Sequence, residues 1–298
     1  MGNCQCCEDS TKCELQKPIE LETLGATNVT LEKSIKGRQE LELINESFSE
    51  CTSVILTSPS PCNKYENYGP KYTSPAGWVY YGNFDNQGHK TGFGVFIWKD
   101  GSKYIGEWKE NMANGKGTLY YSDGDVYSGE WANDMAHGNG KYTHSNGVIY
   151  EGEWVEDKQQ GFGVETWPGG GYFKGNFIDN LKCGYGEFYW EDGSYYKGEF
   201  SFNNIHGEGV YVWSDGRSYE GTWSDNKMHG VGYFRWPDGR EYKGGYVDDK
   251  KEGFGEYSWP SGKVYMGFWK DGKQNGLGKM IEKNGEVVEG MWKDSKLT

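Results

Sequence analysis

Tyr196-Lys197-Gly198-Glu199-Phe200-Ser201-Phe202-Asn203-Asn204-Ile205-His206-Gly207-Glu208-Gly209-Val210-Tyr211-Val212-Trp213-Ser214-Asp215-Gly216-Arg217-Ser218 is one full turn of a repeating pattern. It opens on Tyr-x-Gly-x-aromatic, passes through Gly-x-Gly, and closes on an aromatic followed by Asp-Gly. Moving outward, the opening triad recurs every 23 residues, from Tyr104/Gly106/Trp108 through Tyr265/Gly267/Trp269. A worn copy, Val288/Gly290/Trp292, ends the series. An earlier copy, Tyr80/Gly82/Phe84, lies 24 residues before its successor, because the loop at Gln87-Gly88-His89 carries one extra residue. The Gly-x-Gly element keeps phase from Gly92/Gly94 to Gly276/Gly278. A fixed period of this length is the signature of a repeat architecture.

Within a strand the side-chain period is 2, so Tyr104, Gly106 and Trp108 share a face. The same holds for Gly207, Gly209, Tyr211 and Trp213. Asp-Gly and Asn-Gly pairs (Asp100-Gly101, Asn146-Gly147, Asp215-Gly216) predict tight hairpin turns, where the backbone needs positive φ. Each unit therefore reads as strand, short loop, strand, tight turn. Twelve of the 13 Trp fall in the two aromatic slots, with Trp78 outside them. One sheet face is aromatic, and glycine makes room for neighbouring rings. The other face carries Glu107, Glu130, Glu153 and Glu199 and is wet. A lone hairpin cannot bury its ring face, whereas stacked neighbours can. The expected fold is all-β, an elongated single layer of stacked antiparallel hairpins. At two strands per unit and about 4.8 Å per strand, nine to ten units extend on the order of 90 Å.

These motifs resemble the MORN-repeat family: Tyr-x-Gly-x-Trp, Gly-x-Gly and an Asp-Gly-like turn, in phase over roughly 78–294. The resemblance implies a binding or scaffolding module. It also raises two further links, to phosphoinositide membranes and to cilia or the cell cortex. Some MORN proteins carry lipid-kinase, methyltransferase or exchange-factor domains beside the repeats. The 77 residues outside the array here are too few for one.

The expected organisation is a tail and linker over 1–77 and a repeat array over 78–298. In the tail, Leu31, Ile35, Leu41, Ile44 and Phe48 suggest one short helix, interrupted by Gly37. Ser58-Pro59-Ser60-Pro61 and Tyr68-Gly69-Pro70 read as linker. Gly is the commonest residue at 47, and aromatics reach 16%, which fits an all-β repeat and neither collagen nor a disordered chain. The net charge of −13 is spread over both parts, with 7 basic and 11 acidic side chains in 1–77 and 24 and 33 beyond. No basic footprint for nucleic acid is visible. The same sign weighs against lipid binding by the repeats, which is the alternative function.

Met1-Gly2-Asn3-Cys4-Gln5-Cys6-Cys7 is the sharpest local signal. Loss of Met1 would expose Gly2 for N-myristoylation. One myristoyl chain binds marginally, so Cys4, Cys6 and Cys7 would supply palmitoyl groups as the second anchor. The motif prefers Ser or Thr at position 6, where this chain has Cys6. An unmodified tail with free thiols and a cluster of Cys4, Cys6, Cys7 and Cys13 around a metal are the alternatives. The latter lacks zinc-knuckle spacing and a His. Neither a secretory signal nor a run of about 18 apolar residues is present. The expected place is the cytoplasmic face of a plasma, ciliary or cortical membrane.

Nine Gly-x-Gly copies do not make phosphate loops, because each leads into a strand rather than a helix. His137, His206 and His229 share a slot that elsewhere holds Asn114, Gln160 or Glu252, which marks a solvated loop position. Asp248 and Asp249 read as solvated. No nucleophile–base pair stands out, so no enzyme activity, cofactor or metal is expected. The wet face turns apolar toward the end. The residue before the last aromatic of each triad runs from Glu199 and Thr222 to Phe268 and Met291. Between the paired glycines, Val231, Phe254 and Leu277 follow Lys116, Asn139 and Glu208. With Met266 beside them, these residues predict an interface for a protein partner or a second copy.

Overall fold

The computed structural model describes residues 64–298. The acylation motif, the expected helix and Ser58–Pro61 lie outside the described residues. Those residues hold 21 strands and one 3-10 turn, Glu66–Tyr68. They form two compact units, one running to Tyr142 and including Trp154–Lys158, the other comprising Thr143–Glu153 and Gln159–Thr298.

In the second unit each strand pairs antiparallel with the next. Tyr195–Ser201, Asn204–Val212 and Ser218–Ser224 show the register. Tyr196 faces Tyr211, which faces Tyr219; Gly198 faces Gly209, which faces Gly221. A bulge between Gly198 and Phe200 then sets Phe200 against Ile205. The glycine row lets each tyrosine ring lie flat across it. A methyl group placed on Gly209 would overlap the Tyr196 hydroxyl and ring. The hydroxyl donates to the bulge carbonyl of Glu199 at 3.1 Å. Tyr196 then meets Phe200 and Trp223 edge-on, at 5.2 and 5.8 Å. This herringbone is the core of a single-layer sheet, with no second layer over it among the described residues. Tyr196, Tyr219, Tyr242 and Tyr265 are fully buried by their neighbours alone. Each such ring contributes roughly 4–6 kcal/mol of transfer free energy, as an upper bound.

The Asp-Gly turns are tight and use positive φ, as the sequence predicts. Gly216, at φ 86, closes a three-residue loop in which its N–H donates to the Trp213 carbonyl at 2.9 Å. The two-residue turns sit at the opposite hairpin end, on Asp179-Asn180, Phe202-Asn203, Asp225-Asn226 and Asp248-Asp249, with both φ values positive. The second residue of each turn clasps the preceding turn. Asn203 Oδ1 accepts from Lys182 N at 2.8 Å, Asn226 Oδ1 from Ile205 N at 2.8 Å, and Asp249 Oδ1 from Met228 N at 2.8 Å. Asp249 is thus a structural clasp as well as an exposed acid, where the sequence suggested solvation alone.

The first unit repeats this build. Asp134 and Asp157 clasp Ala113 and Ala136 at 2.6 and 2.7 Å. Pairing starts before the expected boundary, because Lys71–Thr73 already pairs with Val79–Tyr81. Tyr68-Gly69-Pro70 is part of this start rather than a linker: Gly82 N donates to the Pro70 carbonyl at 3.2 Å, and Tyr68 stacks on Phe93 at 5.6 Å.

At the far end the tail is a cap. Lys296–Leu297 pairs with Trp292 and Lys293. Leu297 lies over Gly290, where a tyrosine ring would otherwise sit, because Val288 holds the tyrosine position. Thr298 Oγ1 donates to the Met291 carbonyl at 3.0 Å, replacing the missing tyrosine hydroxyl.

Candidate functional site

The two sheet faces differ in chemistry. On the face opposite the buried tyrosine row the two slots singled out in the sequence are cross-strand partners. Phe254 faces Phe268 and Leu277 faces Met291; Val231 faces Gly245. The Phe254 and Phe268 rings meet edge-on at 5.8 Å. Met266, between Glu256 and Lys279, is half-buried. The tail cap covers the opposite face and leaves these pairs in water.

The apolar character is not confined to the end, as the sequence reading had it. Phe93, Phe162 and Tyr185 occupy the same Gly-x-Gly slot and are 48%, 47% and 59% exposed, comparable with Phe254 at 58%. Their partners make the difference. Phe93 faces Glu107, Phe162 faces Asn176 and Tyr185 faces Glu199. Only in the last two units is the pair apolar on both sides. Elsewhere on this face charged pairs, as in Lys174–Glu187–Lys197 and Lys243–Glu256, are interspersed with Val210, Tyr233 and Met266 in the same row.

The ring face carries two features that the motif reading missed. The first is a set of lysines in one repeat slot, one residue inside the two-residue turns at Lys182 and Lys251 and beside the longer loop at Lys90. Lys182 Nζ bonds Glu165 at 2.6 Å, both buried, beneath Trp167 and Phe173. Lys90 is fully buried against Phe96 and Trp108, and burial pushes its ammonium down to about 8. Lys251 sits among Trp236, Tyr242, Tyr257 and Trp269, each 4.9–5.2 Å away. Burial, then the nearby Arg240, lowers it to about 8. Following this one slot at the 23-residue period would have shown the lysines among Ala113, Ile205 and Met228.

The second feature is a ladder of rings in the second unit, on the loop side of the tyrosine row, in which Phe188, Phe234 and Tyr257 are buried and the tryptophans half-buried. Trp167, Phe188, Trp190, Tyr211, Trp213, Phe234, Trp236, Tyr257 and Trp259 follow one another with centroids 4.3–5.6 Å apart. Two indoles of the opening triads in this unit behave differently. Trp223 and Trp269 donate to the Gly209 and Gly255 carbonyls at 3.4 and 3.3 Å. Among the described residues, the ladder's five indole N–H groups find no acceptor and remain open to water.

Burial holds the ring-face tyrosines firmly as phenols, Tyr196, Tyr219 and Tyr242 among them. His137 and His206 are exposed and lie on strands beside the bulge rather than in loops. Among the described residues, no three or more His, Cys, Asp or Glu are placed to hold a metal, and no helix is long and apolar enough to cross a membrane. Gly2, Cys4, Cys6 and Cys7 lie outside the described residues.

The MORN repeat profile matches nine times in tandem, from 80–103 to 265–287. The chain belongs to the MORN-repeat family, whose repeats form a scaffolding and binding module. No curated protein matches it. Among solved structures it is similar to the TCP10 domain of Danio rerio CPAP, at 13% identity over 75% of this chain and 100% of that one, with a TM-score of 0.38. It is also similar to the TCP10c domain of Drosophila melanogaster Sas-4, at 15% identity over 52% and 93%, with a TM-score of 0.31. Scores this low carry no argument about function.

Proposed function

We propose that the chain is a non-catalytic scaffold tethered to the cytoplasmic face of a plasma, ciliary or cortical membrane. Myristate on Gly2 and palmitate on Cys4, Cys6 and Cys7 are the tether, and the repeats hold proteins at the surface. The observation that carries the docking part is the pairing of Phe254 with Phe268 and Leu277 with Met291, apolar on both sides and exposed. A second copy meeting the same patch would bury it isologously. Lipid recognition by the repeats fits less well, since 33 acidic side chains face 24 basic ones beyond residue 77.

Two experiments separate the parts. Gly2→Ala, or Cys4, Cys6 and Cys7 changed together to Ser, should release the protein from membranes on fractionation. Retention of both variants would hand the anchor to the repeats or to a partner. Phe268→Glu with Met291→Glu should lower the mass by light scattering or lose partners recovered from cells. A folded double variant with unchanged mass and partners removes this interface.

A further inference from the structure

The indole ladder is unrelated to the acyl anchor and lies on the opposite face from the terminal apolar pairs. Trp167, Trp190, Trp213, Trp236 and Trp259 recur once per repeat. Adjacent members are two strands apart, which sets their spacing at about 9.6 Å. A polyproline-II helix rises about 3.1 Å per residue with three residues per turn, or about 9.3 Å per turn. The two periods differ by about 0.3 Å, so they drift by only about 1 Å across all five indoles. A polyproline-II chain has no internal hydrogen bonds, so its carbonyls are free to accept. The ladder offers one unbonded indole donor per turn of such a chain. Aromatic surfaces with this chemistry are what Pro-rich segments dock on.

Charge selects among ligands. Cations do alternate with the indoles, and those at the loop end are answered within the chain, while Lys251 is half-buried beneath Trp236 and Tyr257. Arg217 Nε bonds Asp215 at 2.7 Å, Arg240 Nε bonds Asp238 at 2.7 Å, and Lys263 Nζ bonds Glu282 at 2.6 Å. The outer edge of the strip is therefore charge-paired within an acidic protein. That complements an uncharged chain and repels a nucleic acid, which would otherwise compete for stacked rings.

We propose that the ladder Trp167–Trp259 is a docking strip for a proline-rich segment of a protein partner in the polyproline-II conformation, laid across the strands at one turn per repeat.

The test uses the full chain and synthetic peptides. Dodecaproline spans about 37 Å, against about 38 Å from the first indole to the last. It should bind at least about tenfold tighter than hexaproline, because each added turn reaches another indole. A (Gly-Ser)6 peptide and the oligonucleotide dT12 should bind far more weakly. Trp213→Phe with Trp236→Phe keeps rings in the ladder and removes two donors, so dodecaproline affinity should fall about tenfold. An unchanged melting temperature of that variant shows an intact fold. The length series on the unaltered chain tests the register independently of any variant. No binding of dodecaproline, equal affinity for both proline lengths, unchanged affinity in the folded double variant, or binding of (Gly-Ser)6 or dT12 as tight as dodecaproline would each overturn the assignment.

Discussion

Replacing Lys251 by Met should stabilise the protein. Lys251 lies opposite Tyr246, inside the four-ring cage, and the charge nearest it is the like-signed Arg240. The same slot one repeat earlier holds Met228, set against Trp223, so the surroundings already accept a methionine. Two effects oppose each other. Burial and Arg240 lower the ammonium from 10.5 to about 8, which corresponds to about 3 kcal/mol against the charged form. The rings attract the cation and return about 1–2 kcal/mol. Lys251 keeps some contact with water, which screens the first figure. The net expectation at pH 7 is a gain of about 1–2 kcal/mol for Lys251→Met.

The pH dependence tests the cause. Lys251 in the folded state releases its proton near pH 8, whereas the unfolded chain holds it to about 10.5. Between those values the unfolded chain binds more protons, so stability rises with pH. Below pH 8 the lysine's contribution is at its least favourable and flat. The gap between variant and parent should be full at pH 7 and should shrink toward pH 10. Lys90 shifts the same way but is present in both proteins and cancels. Urea midpoints for both proteins at pH 7, 8.5 and 10 give the answer. A less stable methionine variant, or a gap that ignores pH, would mean that the cage stabilises the cation and that the burial argument is wrong.

Three further predictions follow from the repeat geometry. Phe173 has no hydroxyl for its bulge carbonyl, which Tyr196 and Tyr219 supply at 3.1 and 3.0 Å in their repeats. Phe173→Tyr should therefore add about 0.5–1.5 kcal/mol in a urea titration. Asn203→Ala removes the clasp on Lys182 N and leaves a non-glycine residue at φ 70, which should cost about 1–3 kcal/mol by the same assay. Phe202 takes φ 47 with its ring 65% exposed, so Phe202→Asn should raise the melting temperature by a few degrees, about 0.5–1 kcal/mol.

The period-2 and 23-residue patterns made the ring face legible, because burial there depends only on which residues share a side of the strand. Tyr196, Gly198, Gly209 and Tyr211 meet as that logic requires. The tight turns at Asp-Gly were legible too, and Gly216 takes the positive φ expected there. The turns at the opposite hairpin end were not. The two-residue turns fall on Phe202-Asn203 and Asp248-Asp249, where no glycine marks them. What fixes those positions is the contact between repeats: Asn203 and Asp249 each accept a backbone N–H 21 residues upstream. That bond offsets a conformation these residues would otherwise avoid. Cross-strand partnership was legible on one side of each strand only. The pairing of Phe254 with Phe268 follows by counting straight across the unbroken hairpin that joins them. Across the other hairpin the bulge between Gly267 and Trp269 shifts every partner beyond it, and the same counting fails.

The same bulge explains why the C-terminal patch is left open. A repeat ends stably only if its last glycine row is covered and its last bulge carbonyl is bonded. Both needs arise on the ring face or at the strand edge. Leu297 and Thr298 meet them within six residues of Trp292, one by covering Gly290 and the other by bonding the Met291 carbonyl. Nothing in that cap acts on the other face. Among the described residues Leu277 and Met291 therefore stay exposed after the sheet's own requirements are met, and the proposed interface rests on that exposure. Truncation distinguishes the roles. Deleting Leu297 and Thr298 exposes Gly290 and frees the carbonyl, so it should lower stability by about 1–3 kcal/mol. It should leave self-association through Leu277 and Met291 unchanged at temperatures where the sheet is folded. Light scattering beside a thermal melt of the truncated chain decides it: a lost assembly with an unchanged melt would place the interface on the tail instead.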